Sequence, residues 1–229
     1  MQIFWFNGGM GLWMELLDFV YPKFCVGCGE HGSFLCEKCF GQLDIAEQIC
    51  PMCGCPSAFG WTHRKCIKET GLDGLICIYS YEDEIVKKAI DDLKFGFIRE
   101  MAGLMIRDFT FESGINFDYI VPLPLHFYRE NWRGFNQSKL IADIVGKAMG
   151  VKTYKCLERS KNTKQQASLR LREDRERNLK NAFRLSGDVK GKNVLLIDDV
   201  FTSGMSMREA AATLKRGGAK FVWGLVLAH

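Results

Sequence analysis

Residues 193–206 read N-V-L-L-I-D-D-V-F-T-S-G-M-S, and the fold turns on this stretch. Val194 to Ile197 is an unbroken run of branched apolar residues. Such a run suits a strand covered on both faces, as in a parallel sheet. Asp198 and Asp199 stand at its carboxyl end. A short hydroxyl- and glycine-bearing loop follows, Thr202-Ser203-Gly204-Met205-Ser206, and a helical pattern runs from Met207 to about Arg216, where Gly217-Gly218 stops it. In open α/β sheets, ligands bind beyond the carboxyl ends of the strands. A loop that enters a helix offers open N–H groups and the positive end of the helix dipole, which suits a phosphate. Gly204 permits close backbone approach, and Thr202, Ser203 and Ser206 add hydroxyl donors. Two adjacent carboxylates cannot attract that phosphate. They suit the hydroxyls of a sugar, met directly or through Mg²⁺ and its waters. The local chemistry asks for one phosphate and one diol.

The order of these features resembles the phosphoribosyl diphosphate (PRPP) signature of type I phosphoribosyltransferases: four apolar residues, two acids, two residues, then T-[ST]-G-x-[ST]. The resemblance implies an α/β fold, a parallel sheet flanked by helices. It implies that Asp198 and Asp199 hold the ribose and that Thr202, Ser203, Gly204, Met205 and Ser206 hold the 5′-phosphate, with Mg²⁺ accompanying PRPP. Met205 departs from the pattern, which has a small residue there, and its side chain is expected to crowd the site.

The amino-terminal third has a different character. Cys25-x₂-Cys28, Cys36-x₂-Cys39, Cys50-x₂-Cys53 and His63-x₂-Cys66 form four ligand pairs, with Cys55 beside the third. Ten cysteines without a secretory signal point to metal rather than disulfides. Each pair presents two ligands from one tight turn, and the glycines after Cys28 and Cys53 fit such turns. Two structural Zn²⁺ ions satisfy the set. The simplest grouping is Cys25, Cys28, Cys36, Cys39 and Cys50, Cys53, His63, Cys66; a cross-braced grouping uses the same residues. Filled sets of four leave no open position for catalysis.

Gly71 to Gly74 marks a boundary. Leu75 to Tyr81 reads as a strand with Cys77 in the core. Asp83 to Lys94 reads as a helix with Ile85, Ala89, Ile90 and Leu93 on one face. A second helix is expected over Phe97 to Phe109. Lys94 and Phe95 end the first helix, in a place that allows Lys94 to face the cleft, although a solvated lysine is the commoner outcome. Asp118 to Leu125, D-Y-I-V-P-L-P-L, reads as a strand that its prolines terminate, and a helix follows from Ser138 to about Met149. Phe183 to Leu185 and Lys220 to Leu227 read as further strands.

The segments V-P-L-P-L, R-G-F-N-Q-S at 133–138 and T-K-Q-Q-A-S-L-R-L-R-E-D-R-E-R-N at 163–178 resemble, in that order, the ComF family of competence proteins. That resemblance covers the chain from about Leu16 onward. It implies an amino-terminal double zinc ribbon over residues 16–73 and a phosphoribosyltransferase-like domain over 74–229. It places Arg133, Gly134, Asn136 and Gln137 at a pyrophosphate loop, where the bland alternative is a helix cap with an aromatic wedge. It places Lys164, Gln165 and Arg175 on a loop that closes over PRPP and brings cations to the departing pyrophosphate, with Lys164, Asp198 and Asp199 the catalytic candidates. It implies a role in handling single-stranded DNA during natural competence, with a competence helicase or other DNA-uptake proteins as partners. The other class is a phosphoribosyltransferase that moves the phosphoribosyl group from PRPP to a nitrogen base.

Charge is unevenly spread. The chain carries +4 overall, 31 Lys/Arg against 27 Asp/Glu, but residues 1–73 hold 5 against 8 and residues 74–229 hold 26 against 19. A polyanion is expected on the second part, above all at 159–184, with 9 Lys/Arg against 3 Asp/Glu. Trp61, Trp132 and Phe135 are candidates for stacking on bases, although core packing is the commoner role for each. The apolar first twenty residues lack a basic leader and are broken by Gly8, Gly9, Gly11, Glu15 and Asp18. They read as neither signal peptide nor membrane span, which points to the cytoplasm. The plainer expectation is a true start at Met14, with the residues before it a gene-calling artefact; an amino-terminal peptide containing Trp5 in the native protein would overturn this.

Overall fold

The computed structural model describes residues 22–96, 98–110, 114–125, 132, 134–159 and 182–229. The start-site expectation, Arg133, Lys164, Gln165 and Arg175 lie outside them, as does most of the basic stretch.

The ordered elements are α1 (Glu37–Phe40), β1 (Gly74–Tyr79), α2 (Glu84–Lys94), α3 (Glu100–Ile106), β2 (Tyr119–Pro122), α4 (Gln137–Met149), β3 (Leu157–Arg159), β4 (Phe183–Leu185), β5 (Asn193–Val200), α5 (Met205–Arg216) and β6 (Phe221–Ala228). The main sheet has the order β1-β6-β5-β2, and all its pairings are parallel. It is the parallel sheet flanked by helices that the apolar run at 194–197 predicts.

The pleat divides the core. Leu195, Ile197, Trp223 and Leu225 face the layer made by α2, α3 and α4, where Ile90, Leu93, Met101 and Ile141 are buried. Val194, Leu196, Val222 and Val226 face α5 through Met207, Ala210, Ala211 and Leu214. Strands with apolar residues on both sides need a cover on both sides, and the helices supply it. Gly224 is where the α5 layer comes closest. A Cβ there would lie 2.6 Å from the Met207 sulfur.

Some boundaries differ from expectation. The helix after Ile98 begins at Glu100 and ends at Ile106, shorter than the predicted 97–109. α5 begins at Met205, two residues early. Phe183–Leu185 is a strand as predicted, but it leaves the main sheet and pairs antiparallel with Leu157–Arg159. No pattern marks Leu157–Arg159 as a strand, since the pairing that makes it one is with residues far along the chain.

The cysteine-rich segment is packed onto the domain. Asp44 to Gln48 runs along the outer edge of β1: Ala46 N–H donates to Ile78 O, and the Gln48 amide exchanges hydrogen bonds with Cys77 O and N at 2.7 and 3.2 Å. An open edge is thereby covered. Trp61 stands edge-on against Trp223, with ring centroids 4.7 Å apart. Arg107 grips Glu37 with two bonds of 2.6 Å and lies over Phe40. Cys77 is core, as expected, and burial pushes its thiol up to about 12, so it is inert at neutral pH.

Candidate functional site

Two metal-ligand clusters stand in the amino-terminal segment. The donor atoms of Cys25, Cys28, Cys36 and Cys39 lie within 4.8 Å of one another, and so do those of Cys50, Cys53, His63 and Cys66. The grouping is sequential rather than cross-braced, and Cys55 is left out. Tetrahedral zinc with bonds of about 2.3 Å to sulfur sets neighbouring sulfurs about 3.8 Å apart; Cys28 Sγ and Cys36 Sγ are 3.7 Å apart. Cys53 Sγ and His63 Nδ1 are 3.4 Å apart, which identifies Nδ1 as the ligand atom. The residues fit structural zinc. Gly29 and Gly54 have φ of +77° and +70°, the left-handed turn that closes each knuckle. Backbone N–H groups of Cys36 and His63 point at Cys25 Sγ and Cys50 Sγ, at 3.4 Å each.

The second centre lies where β5 ends. Asp198 and Asp199 are partly buried near the carboxyl end of the strand, between Ile197 and Val200. Asp198 Oδ1 accepts from the Ser138 hydroxyl and from Asp199 N–H, both at 2.9 Å. Burial first, and then the Asp199 charge, push the Asp198 carboxyl up from its ordinary 3.8 to about 7, against the pull of those two donors. Lys94 Nζ is 3.5 Å from Asp199 Oδ2, with both side chains largely buried. Of the two outcomes open to Lys94, the structure has the less common one, in which it faces the cleft rather than solvent. α2 ends beneath the carboxyl edge of the sheet, so its last lysine turns inward to the acid pair.

Thr202 and Ser203 are exposed, and Gly204 is buried with φ +67°. A Cβ at Gly204 would collide with the Phe201 ring, so only glycine closes this turn. α5 starts at once, with no side-chain cap on its open N–H groups. Such a helix end suits a bound anion. Met205 and Ser206 form the first turn. Met205 also lines a groove of about 800 Å³ between α5 and the second metal cluster, together with Met52 and Arg208.

Asn136 and Gln137, expected at a pyrophosphate loop, are buried at the start of α4. The Asn136 side chain accepts from Lys139 N–H at 3.2 Å and donates to Leu123 O at 3.1 Å. It caps the helix and ties it to the exit of β2, as the bland alternative has it. Gly134 lies just before, at φ +68°. The residue missed by sequence reasoning is Ser138, whose hydroxyl reaches Asp198; the available signal is its place two residues after the cap. Phe135 is a packing residue, lying under the Arg99 guanidinium at 4.7 Å, whereas Trp61 is 41% exposed with one edge against Trp223. Trp132 is two-thirds exposed, edge-on to Phe95.

Two protein families match separate parts of the chain. The Double zinc ribbon domain family matches residues 16–69, and the Phosphoribosyl transferase domain family matches residues 137–228. The chain is 32% identical over 202 residues to DNA utilization protein YhgH of Escherichia coli strain K12, covering 82% of this chain and 87% of that protein. It is 30% identical over 196 residues to Competence protein ComFC of Bacillus subtilis strain 168, covering 80% and 79%. It is 28% identical over 225 residues to Competence protein F of Haemophilus influenzae, covering 86% and 98%. A solved structure of the allosteric regulatory enzyme of purine biosynthesis matches 56% of this chain and 24% of its own at 18% identity, with a TM-score of 0.36.

Proposed function

We propose, because this chain belongs to the ComF family of competence proteins, that it binds PRPP through the carboxyl edge of β5 and acts in handling single-stranded DNA. One observation carries the ligand reading. An uncapped helix end opens directly onto a hydroxyl-bearing loop, one turn from two inward-facing carboxylates. The 5′-phosphate sits on the N–H groups and hydroxyls of 202–206. Asp198 and Asp199 accept from the ribose hydroxyls, and Mg²⁺ enters with the pyrophosphate. Arg133, Gly134, Lys164, Gln165 and Arg175 meet the pyrophosphate. Asn136 and Gln137 hold the floor beneath it, and Lys94 balances the acid pair until the ligand arrives. In this reading residues up to 73 are a zinc-held module and residues from 74 form the ligand-binding domain.

The DNA part draws on the names of the relatives, a DNA utilization protein and competence proteins, and on the surplus of 26 Lys/Arg over 19 Asp/Glu after residue 73. Phosphate contacts supply most of non-specific DNA affinity, so binding should weaken steeply with salt. The phosphoribosyl transferase domain match favours a second reading, turnover with a nitrogen-base acceptor. Then the site's contribution is positioning and charge stabilisation as pyrophosphate leaves C1.

Fluorescence anisotropy of a labelled single-stranded oligonucleotide, with and without PRPP and Mg²⁺, tests the first reading. Salt-dependent binding supports it, and no binding at low salt overturns the DNA role. Pyrophosphate release in the presence of candidate bases separates turnover from binding alone.

A further inference from the structure

The phosphate loop and the second zinc knuckle meet at one side chain. Arg208 lies in the first turn of α5. Its Nη2–H donates to Ser203 O at 3.1 Å, inside the loop. Its Nη1–H points the other way, to Pro51 O at 3.4 Å and the Met52 sulfur at 3.7 Å. Pro51 and Met52 are the two residues between the ligands Cys50 and Cys53. The knuckle that carries them is closed by Gly54 N–H to Cys50 O at 2.9 Å and Cys50 N–H to Cys55 O at 2.8 Å. With the metal in place, the Pro51 carbonyl has a fixed position. A guanidinium is a planar fork of fixed geometry, so it passes that position to whatever its other arm holds. The other arm holds the backbone of the loop.

The remaining surroundings support this. Arg208 N–H also donates to Gly204 O at 2.9 Å, so the residue is anchored to the loop by backbone as well as side chain. Thr202 and Ser203 are exposed, with little packing of their own. Arg208 and Met52 both line the groove of about 800 Å³ between α5 and the second metal cluster.

We infer that Arg208 is a positioning residue that couples occupancy of the Cys50, Cys53, His63 and Cys66 site to the order of the phosphate loop. Zinc at this site holds the loop ready. Loss of that zinc loosens it and weakens its hold on a phosphate. Coupling is reciprocal, so a ligand on the loop slows release of this zinc and leaves the Cys25 cluster unaffected. The effect on ligand affinity rests on the PRPP reading above, while the effect on the loop does not.

Hydrogen exchange on the full zinc-loaded chain tests it. Amides of 202–206 should exchange roughly 5-fold faster or more in Arg208→Ala than in wild type, a coupling of ordinary size, with β6 amides unchanged. Chelation of zinc from the wild type should speed the same amides, and in Arg208→Ala it should add nothing to them. If chelation unfolds the chain, the zinc-loaded variant alone decides. Loop exchange equal in wild type and variant overturns the coupling. A loop that responds to Arg208→Ala in a protein that does not bind PRPP leaves the coupling standing and removes the ligand reading.

Discussion

Asp198→Asn should make the ligand-free protein more stable while removing its ligand. The carboxyl is pushed from its ordinary 3.8 up to about 7. The sign follows from proton counts. Between these two values the folded state holds a proton that the unfolded state has lost, so stability falls as pH rises from about 4 to 7. Above pH 7 the full cost is present; below about pH 4 it is gone. Three pKa units at about 1.4 kcal/mol each set a ceiling of about 4 kcal/mol. Asp198 shares its site with Asp199 and is only half-buried, so about 2 kcal/mol is the working figure. Asparagine keeps the two hydrogen bonds of the site, because Ser138 and Asp199 N–H both donate to the same oxygen, Oδ1. For a chain of this length, about 2 kcal/mol raises Tm by roughly 4–8 °C. Thermal denaturation of ligand-free, zinc-loaded wild type and variant across pH 5.5–8.5 is the assay. The gain should be largest at pH 8.5 and about half that at pH 5.5. A variant less stable than wild type at pH 8, or a gain that does not change with pH, would refute the reasoning.

Other consequences are as direct. PRPP affinity should rise between about pH 6 and 8, since the ribose hydroxyls need the ionised Asp198; calorimetry in buffers of different ionisation heat should show proton release on binding. Lys94→Met removes a cation that holds Asp198 down, so the pH at which binding appears should move upward, while Lys94→Arg should largely preserve it. Gly204→Val puts a β-branched residue at φ +67° against the Phe201 ring; it should cost at least about 1–2 kcal/mol and abolish phosphate binding, read by denaturant melts and by calorimetry. Stripping zinc should lower Tm by roughly 10 °C or more, because Cys25, Cys39, Cys50 and Cys66 are buried and their clusters anchor the cover of the β1 edge. Reversing the charges of Arg170, Arg172 and Arg177 together should abolish oligonucleotide binding, and unchanged affinity would move the DNA surface elsewhere.

Much of the architecture is legible in the chain because it is local. The run Val194–Ile197 needs cover on both faces, and only a parallel sheet between helix layers provides it. Two of the four ligand pairs carry their own turn glycines, so the metal sites can be read almost residue by residue, and the simplest grouping, the sequential one, is the one the structure has. What escapes is set by tertiary contact. Lys94 looks like any lysine at a helix end until α2 is laid beneath the acid pair. Ser138 looks like a helix-start serine until Asn136 ties α4 to β2. Leu157–Arg159 becomes a strand only through Phe183–Leu185, 26 residues away across the pair Glu158 and Arg184. Asn136 itself shows how a motif position can be a helix cap tied to the exit of a neighbouring strand.

The central claim is that the edge of β5 is a PRPP site. Isothermal titration of PRPP with Mg²⁺ into zinc-loaded wild type and into the double variant Asp198→Asn/Asp199→Asn tests it most directly. Saturable binding at one site in the wild type, lost in a double variant that melts no lower than wild type, is the predicted result. No heat of binding to the folded, zinc-loaded wild type, or equal binding by both proteins, would contradict it.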